Sequence, residues 1–464
     1  MNVHFIAIGG SAMHNLAIAL HHKGYHVTGS DDEIFEPSKS RLARLGLLPP
    51  TEGWEPARIH AGLDAVILGM HAKKDNPELI RATEMGLRIY SYPEFLYEQS
   101  KNKKRIVIGG SHGKTTITAM ILHVLRENGV DCDYMVGAQL EGFDVMVRLT
   151  NEASYMIFEG DEYLTSPIDP RPKFHLYKPD IALLSGIAWD HINVFPTFEN
   201  YIEQFTTFIK LITPGGTLIY CREDEELEKI CPFIRTDISV IPYSFVDHFI
   251  KDGKTFIHYN NQNIPLELFG KHNLLNMNGA RIVCNQLGID DDQFYKAISS
   301  FKGASKRLEL VKKNDQTSVF KDFAHSPSKL QATIKAVKEQ FPERKLVACM
   351  ELHTYSSLSK EFLSHYKGTM DSADVAIVYY NPHAIQIKRL PPISPEQIKS
   401  GFSKNDLEIF SDSKLLVERL QSEDWKGKNL LMMSSGDFDG TDFTALAGEI
   451  LLKIGSRFSD HGSR

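Results

Sequence analysis

Glycines at 109, 110 and 113, followed by Lys114, Thr115 and Thr116, place backbone N–H groups, an ammonium and two hydroxyls in one short loop. That set suits phosphate. Converging N–H groups meet the oxygens, Lys114 adds a point charge, and Thr115 offers a hydroxyl to Mg²⁺. The apolar run Ile106-Val107-Ile108 precedes the loop and an apolar stretch over 117–125 follows it, so a strand enters and a helix leaves. One residue departs from the full G-x-x-x-x-G-K-T pattern, because Ile108 stands where glycine would be. A glycine-rich turn with a chance lysine is the plain alternative, and it must also explain both flanks.

A second glycine turn, Gly9-Gly10-Ser11-Ala12-Met13, follows the apolar run from Val3 to Ile8. Asp31 lies at about the separation at which a dinucleotide fold places its ribose-binding acid. Ala12 and Asn15 stand where that fingerprint wants glycine, so a nucleotide site and a tight structural turn both remain open. Glu159-Gly160-Asp161-Glu162 and Asp190-His191 each follow buried-strand patterns, and acids at strand ends gather on one edge of an α/β sheet. Magnesium prefers oxygen ligands, which makes Glu159 a natural candidate and His191 a less usual one. Taken alone, these residues read more readily as surface acids and a hydrogen-bonded core histidine. Lys271-His272-Asn273 with Asn276, Lys306-Arg307-Leu308-Glu309 and Asp322-Phe323-Ala324-His325-Ser326-Pro327 could each be caps and turns.

The elements that must hold these groups are short apolar strands alternating with helices, the pattern of doubly wound α/β sheets. At ~150 residues per domain, 464 residues suggest about three domains. Polar stretches at 99–104 and 312–316 mark the joins. The expected division is a Rossmann-like unit over 1–100, a central P-loop unit over 101–309 and a second Rossmann-like unit over 310–464. The net charge of −7 argues against a nucleic-acid partner. Five scattered cysteines read as reduced thiols. No signal-peptide pattern and no apolar run of the ~18 residues needed to span a bilayer is found, so a cytoplasmic location and no membrane partner are expected.

In chain order, these motifs resemble the Mur ligase family over essentially the whole sequence. Gly110-Ser111-His112-Gly113-Lys114-Thr115-Thr116 is similar to its ATP loop. Asp190-His191, Gly270-Lys271-His272-Asn273 with Asn276, Arg307 with Glu309, and Asp322-Phe323-Ala324-His325 with Pro327 match its later motifs in order. The resemblance implies ATP and Mg²⁺ as cofactors, UDP-N-acetylmuramate as one substrate, an amino acid or peptide amine as the other, and a monomer or homodimer. It assigns Lys114 to the β- and γ-phosphates, Thr115, Glu159 and His191 to metal, His272 and Asn273 to adenine, and Asn276 to the ATP site. It gives Arg307 and Asp322 to ribose and phosphate, with Lys114, Glu159, His191 and Arg307 as the catalytic set. Gly9, Gly10, Ser11, Ala12, Ser30, Asp31 and His71 would meet the UDP-sugar. The segment 192–208 holds no lysine, so no carbamylated lysine is expected there.

Within the family, Ile8-Gly9-Gly10-Ser11-Ala12-Met13 and Gly29-Ser30-Asp31 resemble the branch that acts on UDP-N-acetylmuramate. A long stretch from Glu159 to Tyr177 and the loop Met433 to Gly440 resemble members that add the tripeptide L-alanyl-γ-D-glutamyl-meso-diaminopimelate in peptidoglycan recycling. Glu351-Leu352-His353-Thr354-Tyr355-Ser356 keeps the shape of the L-alanine ligases without their arginine, which leaves L-alanine as the alternative amine. A nicotinamide-dependent oxidoreductase built on Gly9, Gly10 and Asp31 would leave the Lys114 loop unexplained. A non-catalytic nucleotide switch would bind ATP without amine-dependent phosphate release.

Overall fold

Four consecutive buried residues follow Asn2, a pattern that demands a strand covered on both faces. Strand β1 (Asn2–Ile6) lies between β2 (His26–Ser30) and β3 (Ala65–Leu68), with β4 (Ile89–Ser91) beyond β3, all parallel. Helices α1 (Ser11–His22), α2 (Ser38–Arg44), α3 (Pro77–Glu84) and α4 (Tyr92–Ser100) accompany this sheet. The apolar run predicts β1 as far as Ile8, but it ends at Ile6. Ala7 takes a left-handed φ of 69°, and the N–H groups of Ala7 and Ile8 both turn onto the Ser30 carbonyl. Asn76 caps α3 through Glu78 and Leu79 N–H, with Pro77 in the first turn. Ser91 and Glu94 close a capping box on α4.

The structure is a computed structural model, and it describes the whole chain except residues 141, 144, 190–193, 233, 304–306 and 457–464, with side chains described to 452. Next along the chain come β5 (Lys104–Gly109), α5 (Lys114–Glu127), β6 (Asp133–Met135), β7 (Val147–Arg148) and β8 (Tyr155–Glu159). They are followed by β9 (Leu164–Ser166), β10 (Asp169–Pro172), β11 (Ile181–Leu184), α6 (Phe198–Lys210), β12 (Thr217–Cys221), α7 (Glu225–Ile230) and β13 (Ser239–Tyr243). Strands β9 and β10 form a separate antiparallel hairpin. The others make one sheet in the order β13-β12-β11-β5-β8-β6-β7, in which only the β6–β7 pair is antiparallel. The chain leaves β5 toward β6 and β8, then returns to β11 on its other side. The carboxyl end of β5 is therefore a topological switch point, where an α/β sheet opens a crevice for ligand.

Two compact units emerge, one of residues 1–245 with 275–298, the other of 246–274 with 299–464. The second holds an antiparallel sheet of β14 (His248–Lys251), β15 (Lys254–Tyr259) and β16 (Gln262–Leu266). Helix α8 (Lys271–Gln286) contributes to both units, and α9 (Asp291–Ile298) belongs to the first. The second unit continues with β17 (Glu309–Lys313), β18 (Ser318–Asp322), α10 (Pro327–Gln340), β19 (Lys345–Leu352) and β20 (Val375–Tyr380). After these come α11 (Pro382–Ile387), α12 (Pro395–Phe402), β21 (Glu408–Phe410), α13 (Ser413–Ser422), β22 (Lys428–Met433) and α14 (Phe443–Ser456).

Its main sheet runs β17-β18-β22-β19-β20-β21, parallel except for β17. Side chains of β19 alternate between two cores. Leu346, Ala348, Met350 and Leu352 join Leu330, Ile334 and Tyr366 on one face, while Val347 and Cys349 join Leu416 and Trp425 on the other. The doubly wound character expected from the sequence is thus present in this unit. All five cysteines are free and buried. Among the described residues, no helix is long and apolar enough to cross a membrane.

Candidate functional site

Strand β5 delivers the loop 109–116 to the switch point. Gly110 has φ +124° and Gly113 φ +82°. A Cβ on Gly110 would overlap Ser185, and one on Gly113 would overlap the Asn276 side-chain amide, so both space and backbone demand glycine. Helix α5 starts at Gly113 without a side-chain cap, whereas α3, α4, α6 and α7 are capped by Asn76, Ser91, Thr197 and Asp224. Capping side chains would satisfy the first-turn N–H groups. Leaving them uncapped keeps the positive end of α5 ready for an anion.

Lys114 Nζ donates to the Gly110 carbonyl at 2.7 Å and to Glu162 Oε2 at 2.6 Å. Burial opposes the Lys114 charge, but Glu162, Asp161 and Glu159 outweigh it and hold its pKa above the ordinary value. Asp161 is likewise disfavoured as an anion by burial, yet Lys173 and Lys114 pull its pKa below the usual carboxylate range. Lys173 Nζ reaches Asp161 Oδ2 at 2.5 Å. Backbone bonds from Lys173 to Tyr163 and from Phe174 to Asp161 then close the β9–β10 hairpin onto these acids.

Thr115 Oγ1 donates to Glu159 Oε1, and Gly137 N–H donates to Glu159 Oε2, both at 2.8 Å. A hydroxyl and a carboxylate this close are hard oxygen donors that can share one ion. Magnesium keeps several water and phosphate ligands, so two protein donors suit it. Among the described residues, no three acidic, imidazole or thiol groups converge into a protein-only metal cage. His191, the other expected metal ligand, lies with Asp190 outside the described residues.

The Ser111 hydroxyl points inward. It accepts Ala188 N–H at 2.9 Å and lies 2.9 Å from the Tyr201 hydroxyl, which also reaches Glu162 Oε1 at 3.2 Å. His112 keeps Nδ1 on the Ser111 carbonyl at 2.7 Å. Thr116 is buried on α5.

The N-terminal turn is built differently. Gly9 N–H donates to Asp31 Oδ2 at 2.7 Å, so the acid expected to face a ribose also closes the glycine turn. Burial pushes Asp31 up to about 6, against the lowering effect of Gly9 N–H. Ser30 is fully buried, with its hydroxyl bonded to Glu78 and 3.1 Å from His4 Nε2. Ser11, Ala12 and His71 are exposed, His71 packs near Gly10, and α1 has no side-chain cap. The Gly9 and Gly10 N–H groups are thus taken by Asp31 and the Ala7 carbonyl, while Ser11 and His71 remain accessible.

Three expected ATP-binding residues lie on α8. Asn276 packs against Gly113 within the first unit. His272 and Asn273 belong to the second unit, where Asn273 Nδ2 donates to the Phe269 carbonyl at 2.9 Å. Burial pulls His272 down to about 4, leaving its imidazole neutral near pH 7. Also in the second unit, Arg307 stacks its guanidinium over Phe323 at 4.6 Å. Asp322 accepts Leu308 N–H at 2.8 Å, and burial raises it to about 6 despite Arg307.

The N-terminal portion, residues 2–104, matches the Mur ligase family catalytic domain. Residues 108–284 match the Mur ligase middle domain, and 306–436 the Mur ligase glutamate ligase domain. A UDP-N-acetylmuramate–L-alanine ligase from Levilactobacillus brevis is 32% identical over 76% of this chain and 77% of its own. The chain belongs to the Mur ligase family. Among solved Mur ligase folds, a UDP-N-acetylmuramate–alanine ligase from Thermotoga maritima has a TM-score of 0.70 at 19% identity, covering 98% of this chain and 100% of that one. A murein peptide ligase from Psychrobacter arcticus has a TM-score of 0.63 at 23% identity, covering 98% and 99%.

As a Mur ligase, the protein is an ATP-dependent amide ligase that forms C–N bonds in peptidoglycan synthesis. Membership removes the hydride-transfer and non-catalytic nucleotide-switch alternatives. Sequence reasoning placed Glu162 only in an acidic run and passed over Tyr201 and Gly137. No local spacing could reveal them, because they lie 48, 90 and 22 residues from their partners Lys114, Ser111 and Glu159.

Proposed function

We propose that this Mur ligase joins the lactyl carboxylate of UDP-N-acetylmuramate to the amine of L-alanyl-γ-D-glutamyl-meso-diaminopimelate. The observation that carries the choice of amine is the stretch from Glu159 to Tyr177. It is long, resembles the tripeptide ligases in sequence, and forms the β9–β10 hairpin fastened beside Asp161. The second reading, an L-alanine ligase, is favoured by His353-Thr354-Tyr355-Ser356, although the arginine of those ligases is lacking. In this reading residues 1–100 hold the UDP-sugar, 101–309 hold ATP, and 310–464 present the amine.

A carboxylate resists amines until one oxygen becomes a good leaving group. Transfer of the ATP γ-phosphoryl to the lactyl carboxylate provides that as an acyl phosphate. The amine's lone pair then adds to the carbonyl carbon, and the resulting tetrahedral intermediate expels phosphate as the amide forms. Phosphoryl transfer needs mainly positioning and charge neutralisation. Lys114 meets the β- and γ-phosphates, and the uncapped first turn of α5 receives their oxygens. Thr115 and Glu159, with His191, would hold Mg²⁺, which neutralises phosphate charge when bound. His272 and Asn273 take the adenine, Asn276 supports the ATP loop at Gly113, and Arg307 and Asp322 take the ribose and phosphate. At the N-terminal turn, the α1 N–H groups, Gly9, Gly10, Ser11, Ala12 and His71 take the UDP diphosphate, while Ser30 and Asp31 shape the turn. Phosphate release with ATP and UDP-N-acetylmuramate, compared between L-alanine and the tripeptide, tests the choice. Preference for the tripeptide is expected, and a strong preference for L-alanine reverses it.

A further inference from the structure

Lys114 has three N–H donors, and two of them are committed to the Gly110 carbonyl and Glu162 Oε2. Fixing two donors of a tetrahedral ammonium fixes the direction of the third. Glu162 therefore decides where Lys114 can aim. Its other oxygen, Oε1, accepts from the Tyr201 hydroxyl on α6. A phenol that donates to a carboxylate has only its lone pairs left for Ser111, so Ser111 must donate to Tyr201. Ser111 in turn accepts Ala188 N–H. The chain of bonds thus has one polarity, from Ala188 through Ser111 and Tyr201 to Glu162, where it meets the ammonium. Tyr201, Glu162 and Ser111 are all buried, at 0%, 1% and 4% exposure, so water does not compete for these bonds.

We propose that Tyr201 and Glu162 are positioning residues for phosphoryl transfer, forming a buried relay that locks the Ser111 end of the loop to the aim of Lys114. Both make hydrogen bonds to other side chains of the protein. Tyr201 stands on α6, outside the motifs that mark the ATP site, and it ties that helix to the loop through side chains alone. Loss of the relay frees Lys114 to adopt other directions. The cost then falls on the step in which charge redistributes over the transferring phosphoryl group, more than on initial ATP binding.

The test is a double-mutant cycle of Y201F, S111A and the combined variant. It is measured as ATP-dependent phosphate release at saturating UDP-sugar and whichever amine the unaltered enzyme accepts. Y201F removes one buried hydroxyl and with it both of its hydrogen bonds, to Ser111 and to Glu162, and is expected to lower kcat about tenfold, with a smaller change in KM for ATP. Because both hydroxyls belong to one relay, the combined variant should lose no more than about the larger single loss. A purely structural role would lower the amount of folded enzyme but leave kcat per folded molecule unchanged. Unaltered kcat in Y201F, or fold-losses that multiply in the combined variant, overturns the proposal. Should Y201F not fold, S111A must show the same split between kcat and KM, and an unaltered kcat there overturns it equally.

Discussion

At the scale of single residues, the site depends on buried charges that are each other's partners. Lys114 and Glu162 have side-chain exposures of 14% and 2%, so neither can be removed in isolation without cost. Lys114→Ala should lower turnover by roughly 10²–10³, as loss of a focused charge-stabilising donor does. It should also destabilise the fold by about 3 kcal/mol, because the Glu162 carboxylate stays buried while losing its ammonium counter-ion. The combined variant K114A/E162Q should recover that stability while turnover stays low. Thermal melts alongside phosphate-release assays check this. Recovery of turnover with stability would mean that Lys114 acts only as a counter-ion. Ser111 and Ser30 make the same point from the other side, since their hydroxyls look like ligand contacts in the sequence but lie inside hydrogen-bonded networks.

At the scale of elements, α1 and α5 differ from the capped helices around them. Each begins after a glycine, with no side chain closing its first turn. Gly113 is held at φ +82° against Asn276, while Gly129, just past the end of α5, has φ +69° and nothing within 4 Å of an added Cβ. Gly129→Ala should therefore cost only backbone strain, about 1 kcal/mol of stability, and leave nucleotide affinity alone. Gly113→Ala should weaken ATP binding by about tenfold or more, since the loop must shift away from Asn276 and its N–H groups diverge. Nucleotide titration of the two variants separates them. Equal affinities would show that the N–H array is not what holds the phosphates.

At the scale of the whole molecule, one contribution to stability against acid comes from Glu78, packed on the N-terminal sheet. Glu78 is fully buried and accepts Glu55 N–H at 2.8 Å, while its second oxygen takes Ser30 and lies 3.3 Å from His4. Burial works to raise the Glu78 pKa, but His4, Ser30 and Glu55 overcome it and leave the value below 4.5. A folded-state pKa below the unfolded one gives stability that is complete above about pH 4.5 and lost as pH falls through the folded value. Glu78→Gln should thus lower the melting temperature at pH 7, with the gap to the unaltered protein narrowing as pH drops below 4.5. A gap that does not vary with pH would exclude the carboxylate as its source.

The sequence by itself determined the alternation of buried strands and helices, the P-loop and the family, because those rest on local signals. Four-residue apolar runs can only be covered strands, and a glycine loop before a lysine and a helix needs no distant partner. It also singled out Thr115 and Glu159 as candidate oxygen ligands, and the structure sets them 2.8 Å apart. What only the tertiary structure decided is which polar groups are used up inside the protein. Ser30 is turned onto Glu78 because β1 and α3 enclose it, and Ser111 onto Tyr201 because α6 lies over the loop. Such contacts join residues 48 and 90 positions apart. Sheet order and burial create them, and no periodicity along the chain records either.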